Sequence, residues 1–154
     1  MSKMLRHVGI VVGNLQESLN IYQNFLGLEL KAFVERNSGE HVDKMVGMKD
    51  TPLKVAILKC EDNNRIELIE YLNNSGVKRS PVLPNDIGAS HFALTVVDID
   101  LLYEKSKDFS VKWISNPFIM PDGGVKMAYA VLNNECIVEL VQVLDKKATY
   151  SGGE

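Results

Sequence analysis

The chain has 154 residues, of which 45% are hydrophobic and 24% are charged, and its formal net charge is -3. This length and balance predict one soluble globular domain with a sizeable core, and they exclude a disordered chain. A mildly acidic chain has no general attraction for nucleic acid or for an anionic membrane. No apolar stretch approaches the roughly 20 residues needed to span a bilayer, and the N-terminus lacks the features of a signal peptide. We therefore expect no nucleic-acid or membrane partner and a cytoplasmic location.

The first half of the chain predicts a β-α-β-β-β order of elements. Residues 7–12 read HVGIVV, a short apolar strand, and the helix-like stretch NLQESLNIYQNFLG follows it. Asn14 is a suitable N-cap, because its side-chain oxygen can accept amide hydrogens of the first helical turn. Apolar runs bounded by turn residues predict three further strands, at residues 28–36, 53–59 and 66–72.

The second half repeats this order after a connector rich in polar residues, glycine and proline, at about 73–85. It opens with HFALTV at 91–96, and Asp98 takes the place of Asn14 as the expected N-cap. Its other predicted strands lie at residues 111–115, 125–132 and 138–144. We therefore predict one α+β domain, which contains two tandem βαβββ modules at about 5–72 and 88–144.

One histidine and one glutamate occupy matching places in each half. His7 and His91 begin the first strands, and Glu67 and Glu139 lie near the start of the last strands. The histidines are 84 residues apart and the glutamates 72, and we assign the extra 12 residues of the first half to an insertion at 38–50. Imidazole nitrogen and carboxylate oxygen suit one divalent ion such as Ni, Zn, Co, Mn or Fe. The alternative for any one of the four is an ordinary hydrogen-bonded histidine or a solvated glutamate.

Glu70 competes with Glu67 as the ligand of the first half. Residues three apart on a strand face opposite sides, and the second half has Glu139 at the first of these positions but Gln142 at the other. The repeat therefore favours Glu67, and we expect Glu70 to lie on the surface.

Other polar residues have weaker functional interpretations. Glu40, His41 and Asp43 of the insertion are expected either to close over a substrate or to belong to a solvated loop helix. Lys78 and Arg79 are candidates for binding an anionic substrate, and the alternative is an ordinary exposed linker. Cys60 and Cys136 have no metal-binding spacing and are expected to be unpaired thiols. No motif indicates an organic cofactor.

Four segments resemble the vicinal oxygen chelate superfamily, namely HVGIVVGNLQESLNIYQNFLGLEL, RIELIEYL, SHFALTVVDIDLLYEKSKDF and CIVELVQVL. That superfamily includes glyoxalase I, methylmalonyl-CoA epimerase, extradiol dioxygenases and resistance proteins for fosfomycin and bleomycin. The resemblance implies a curved mixed β-sheet around a metal-binding cleft, and a homodimer. His7, Glu67, His91 and Glu139 fall on the four metal positions of the glyoxalase I branch. The epimerases usually have glutamine at the place of Glu67, and their His-Pro-Lys segment is replaced here by AVLNNEC.

The function that this resemblance implies is that of a metal-dependent lyase or isomerase. Such an enzyme transfers a proton next to the carbonyl of a small carbonyl or thioester substrate, through an enediolate or enolate that the metal stabilises. Glu139 and Glu67 are the candidate bases, and neither is preferred. Two alternatives stay open: an Fe(II) ring-cleaving dioxygenase, and a non-catalytic protein that binds a drug or another small molecule.

Overall fold

A computed structural model gives the fold of the chain, and it describes residues 4–73, 76–77 and 83–145. The chain forms two compact units, Met1–Lys78 and Arg79–Glu154. Within the described residues, no helix is both long enough and apolar enough to cross a lipid bilayer.

The first unit contains a four-stranded mixed sheet. Its elements in chain order are β1 (Val8–Val11), α1 (Leu15–Asn20), β2 (Glu29–Asn37), α2 (Glu40–Val46), β3 (Leu53–Lys59) and β4 (Arg65–Tyr71). The strand order is β1-β4-β3-β2, with β1 parallel to β4 and the other neighbours antiparallel. Helix α1 continues into a π-helical turn, Ile21–Phe25. Asn14 caps α1 as predicted, because its Oδ1 accepts a hydrogen bond from the Glu17 amide at 3.0 Å.

One face of this sheet carries the core of the unit. Helix α1 packs on β3 and β4, and alternate residues of those strands are fully buried beneath it. The residues that form this core are Leu15, Leu19, Tyr22, Phe25, Ala56, Leu58, Ile66 and Leu68. The intervening residues point to the opposite face of the sheet, and most of them are half-buried. That second face is the one that carries Glu67.

The second unit repeats the arrangement with one additional short strand. Its elements are β5 (His91–Thr95), α3 (Ile99–Lys105) with a 3₁₀ turn (Ser106–Asp108), β6 (Val111–Trp113), β7 (Phe118–Ile119), β8 (Val125–Leu132) and β9 (Cys136–Val143). The order is β5-β9-β8-β6, β7 pairs with β8, and β5 is parallel to β9. Asp98 caps α3 through the Leu101 amide at 2.9 Å. The structure thus confirms the α+β class and the tandem βαβββ order, whereas the sequence did not predict β7.

The insertion of the first unit contains the short helix α2, as the sequence predicted. Both carboxylate oxygens of Asp43 accept backbone hydrogen bonds at 3.0 Å, from the amides of Asp50 and Thr51. Gly47 ends the helix in the left-handed conformation, with φ of 71°, which glycine adopts without strain. These contacts hold the segment between β2 and β3 in a defined shape.

Candidate metal centre

The strand register places the histidine and glutamate of each unit in the same way. In the first unit Gly9 is the partner of Glu67 on the parallel neighbour strand, and His7 lies two residues before Gly9. In the second unit Ala93 is the partner of Glu139, and His91 lies two residues before Ala93. Residues two apart on a strand share a face. Each histidine therefore lies on the same face as its glutamate, and both pairs have the same geometry.

The side chains of each pair meet. His7 Nε2 is 3.2 Å from Glu67 Oε2, and His91 Nε2 is 3.1 Å from Glu139 Oε2. Both pairs are open to solvent: the exposed fractions of the side chains are 35% and 22% in the first pair and 42% and 13% in the second.

The donor atoms of each pair fit a divalent ion. Two ligands held about 2.1 Å from one ion at near-tetrahedral or octahedral angles are separated by about 3.0–3.4 Å, and both observed distances lie in that range. A direct hydrogen bond between histidine and glutamate has a similar length. Within either unit, the described residues add no third histidine, cysteine or carboxylate to the pair. Each unit therefore supplies two of the four predicted ligands.

The surroundings of the two pairs differ. Ile57 is the cross-strand partner of Glu67, whereas Tyr129 is the partner of Glu139. The Tyr129 hydroxyl lies 3.4 Å from His91 Nε2, and the two rings have centroids 4.9 Å apart. A phenol therefore accompanies the second pair, and an apolar side chain accompanies the first. Tyr129 could not be identified from the sequence, because its position depends on the β8–β9 register.

The expectation that Glu70 lies on the surface was wrong. Its Oε2 accepts a hydrogen bond of 2.8 Å from the backbone amide of Leu15, the first residue of α1. In the second unit Gln142 Oε1 accepts a bond of 3.0 Å from Ile99, the first residue of α3. Both side chains satisfy an amide that a helix start otherwise leaves unpaired. The repeat therefore preserves a helix-capping contact at this position, and a carboxylate and an amide oxygen serve it equally.

The other predicted candidates have local partners or lie outside the described residues. Glu40 forms an ion pair of 2.8 Å with Lys44, and His41 Nε2 lies 3.2 Å from Asn37 Oδ1. The Asp43 carboxylate accepts the backbone hydrogen bonds within the insertion that are described above. Lys78 and Arg79 belong to the segment that is not described. Cys60 and Cys136 form no disulfide, as expected, and both are half-buried. Desolvation, followed by the nearby charge of Asp62, raises the pKa of the Cys60 thiol above its ordinary value.

Residues 4–143 match the family model of the glyoxalase/bleomycin resistance protein/dioxygenase superfamily. The matched range includes both His–Glu pairs. The chain belongs to this superfamily. The Synechocystis relative, a probable lactoylglutathione lyase, is 31% identical over 143 residues, which cover 93% of this chain and 98% of the relative. YwbC of Bacillus subtilis is 26% identical over 129 residues, or 84% of this chain and 89% of that protein.

The glyoxalase fold also has a close structural counterpart. The crystal structure of a glyoxalase family protein from Bacillus cereus superposes with a TM-score of 0.83, at 21% identity, and covers 94% of this chain and 97% of that one. At this identity the likeness establishes the fold. The superfamily and fold named from the sequence are thereby confirmed.

Proposed function

We propose that this superfamily member is a divalent-metal-dependent enzyme that transfers a proton at a carbon next to a carbonyl, as glyoxalase I and methylmalonyl-CoA epimerase do. The observation that carries this proposal is the identical register of the two His–Glu pairs on β1–β4 and β5–β9. A relative that is named a probable lactoylglutathione lyase supports the same reaction class. The substrate is a small carbonyl compound or a thioester.

The proposed metal ligands are His7, Glu67, His91 and Glu139, which together hold one ion of Ni, Zn, Co, Mn or Fe. Two imidazole nitrogens and two carboxylate oxygens are donors that such ions accept. The separation of about 3 Å within each pair supports chelation by both members. When bound, the ion supplies Lewis-acid chemistry at the carbonyl oxygen, which contributes several kcal/mol to catalysis.

The proton acceptor is a glutamate of the same set. Glu67 has Ile57 as its cross-strand partner, and Glu139 has Tyr129. The two glutamate side chains are 22% and 13% exposed, and a carboxylate in such a position can take a proton from carbon as a general base. The homodimer that the resemblance implies and the cytoplasmic location expected from the sequence stay predictions.

Deuterium exchange tests the reaction directly. The metal-loaded protein is incubated in D₂O with the hemithioacetal of methylglyoxal and glutathione, or with a 2-methylacyl-CoA thioester, and deuterium at the carbon next to the carbonyl is followed by proton NMR. We expect exchange with one of the two substrates. Glu67→Gln and Glu139→Gln keep a donor oxygen but cannot accept the proton. The variant at the base should therefore exchange deuterium about 100-fold or more slowly than the wild type.

His41→Ala is the matched control, because His41 is the third histidine of the chain and its Nε2 lies 3.2 Å from Asn37 Oδ1, in the insertion of the first unit. Its exchange rate should equal that of the wild type. The proposal is rejected if protein with one bound ion per chain exchanges neither substrate. Oxygen uptake with a catechol would then favour the dioxygenase alternative.

A further inference from the structure

Two cations lie next to the first His–Glu pair and share its face of the sheet. Arg65 is two residues before Glu67 on β4, so the two side chains point to the same side. Lys59 of β3 is the direct cross-strand partner of Arg65. His7 precedes Val8, whose partner on β4 is Ile66, so His7 stands level with Arg65. One row across the sheet therefore contains His7, Arg65 and Lys59.

Like charges directly opposite each other on neighbouring strands destabilise a sheet. Neither Lys59 nor Arg65 forms an ion pair within 4 Å among the described residues, whereas Lys54 of the same strand pairs with Glu35 at 3.3 Å. Glu29 is the partner of Lys59 on β2, but its carboxylate hydrogen-bonds Lys31 at 2.5 Å. That bond is the main cause of the lowered pKa of Glu29, and the charge of Lys59 adds to it. Among the described residues, the Lys59–Arg65 pair thus has no ion-pair partner within 4 Å, and the nearby Glu29 carboxylate is shared with Lys31.

The second unit lacks this charge. Its equivalent cross-strand pair is Val131 and Ile137, and Ile137 is also the direct partner of His91. Both residues are buried and apolar. The two units share the His–Glu pairs and the capping oxygens. They do not share cations at the cross-strand pair beside the histidine. The two cations are therefore a feature of the first unit that the second unit does not share.

We propose that Lys59 and Arg65 bind an anionic oxygen group, a carboxylate or a phosphate, of the molecule on which the enzyme acts. Guanidinium and ammonium donors are suited to both groups. Arg65 is displaced by two residues, about 7 Å, along the strand from Glu67. An anion bound there belongs to a substrate whose carboxylate or phosphate is a few bonds from the reacting carbonyl. The anion site itself stands without the metal, but its connection to a substrate rests on the proposed function.

Anion titration of the metal-free protein tests this site. Inorganic phosphate and succinate are titrated separately into ¹⁵N-labelled protein, and the side-chain Nε signal of Arg65 is followed by NMR. We expect at least one anion to shift this signal saturably at millimolar concentration. The double variant Lys59→Val/Arg65→Ile, which carries the residue types of the second unit, should bind it at least tenfold more weakly, as measured by calorimetry. The anion with the lower dissociation constant identifies the group that the site prefers.

Lys54→Val is the matched control, because Lys54 lies on the same strand and faces the other side of the sheet. It should bind the anion as the wild type does. The inference is overturned if the wild type binds neither anion or if the double variant retains binding. It is also overturned if Lys54→Val loses as much anion affinity as the double variant. Since metal is absent from these titrations, loss of anion binding and failure of the metal-dependent reaction are separate results.

Discussion

The residues around the two histidines give the two halves of the candidate site different chemistry. The first pair has Ile57 across the strand and the cations Arg65 and Lys59 at the level of His7. The second pair has Tyr129, whose hydroxyl is 3.4 Å from His91 Nε2. The two His–Glu pairs therefore share one geometry but have different neighbours.

Cys60 provides a prediction about pH. Desolvation raises the pKa of its thiol above the ordinary value of 9.0, and Asp62 adds to the effect. Since the thiolate is the reactive form, alkylation of Cys60 should still be rising above pH 9 in the folded protein. The measurement uses Cys136→Ser protein, in which Cys60 is the remaining cysteine, and iodoacetamide rates between pH 7 and 10.5.

Unfolding removes the cause of the shift and serves as the control. In concentrated urea, the midpoint of the rate profile should return to that of an ordinary thiol. A folded-state midpoint at or below that of the unfolded chain would show that Cys60 is neither desolvated nor influenced by Asp62.

Single residues differ in how well the sequence predicts them. The contacts of His7 with Glu67 and of His91 with Glu139 agree with a choice made from two copies of one pattern, and the role of these residues as metal ligands stays a prediction. The capping contact of Glu70 was missed because alternation on a strand tells which face a side chain occupies but not which helix lies there. Tyr129 and the Lys59–Arg65 pair were missed because only the register of neighbouring strands brings them to the histidines.

Among the elements, α1 and α3 show how the two halves are held in the same geometry. Each helix start has one oxygen from its N-cap residue and a second from the last strand of the unit, supplied by Glu70 or Gln142. These bonds fix the helix against the strand that carries the candidate ligand. Two side-chain hydrogen bonds to backbone amides therefore hold each strand-to-helix connection within the first turn of the helix.

This arrangement predicts the effect of substitutions at Glu70. Glu70→Ala leaves the Leu15 amide without its partner and should lower the free energy of unfolding by about 1 kcal/mol, the usual cost of losing a helix cap. Glu70→Gln should lower the free energy of unfolding much less, because Gln142 makes the same hydrogen bond in the second unit. Urea denaturation followed by circular dichroism measures both. Equal destabilisation by the two variants would mean that the charge of Glu70, and not its hydrogen bond, matters.

The strand bounds were predicted best where turns define the ends of the strands. The bounds of β3 and β8 agree with the apolar runs at 53–59 and 125–132, because a turn with a left-handed asparagine follows each strand. The φ angle is 68° at Asn63 and 50° at Asn133. The two-residue strand β7, Phe118–Ile119, was not predicted. It is too short to produce an apolar pattern, and it is defined by its pairing with Met127 and Lys126.

For the whole molecule, the repeat of sequence corresponds to a repeat of fold, with one mixed sheet and one capped helix in each unit. Among the described residues, each unit offers one histidine and one glutamate, which is half of the ligand set that the superfamily resemblance implies. If both pairs serve one ion, as proposed, the protein binds one ion per chain, whereas two independent weak sites would bind two.

The most direct test is the number of ions bound per chain. Purified protein is loaded with Ni, Zn, Co, Mn or Fe(II), dialysed, and measured by elemental analysis beside His7→Ala, His91→Ala and the control His41→Ala. We expect one ion per chain in the wild type and in His41→Ala, and nearly complete loss of the ion when either His7 or His91 is replaced. Two ions per chain with loss of only one in each variant, or no retained ion with any of the five metals, would contradict it.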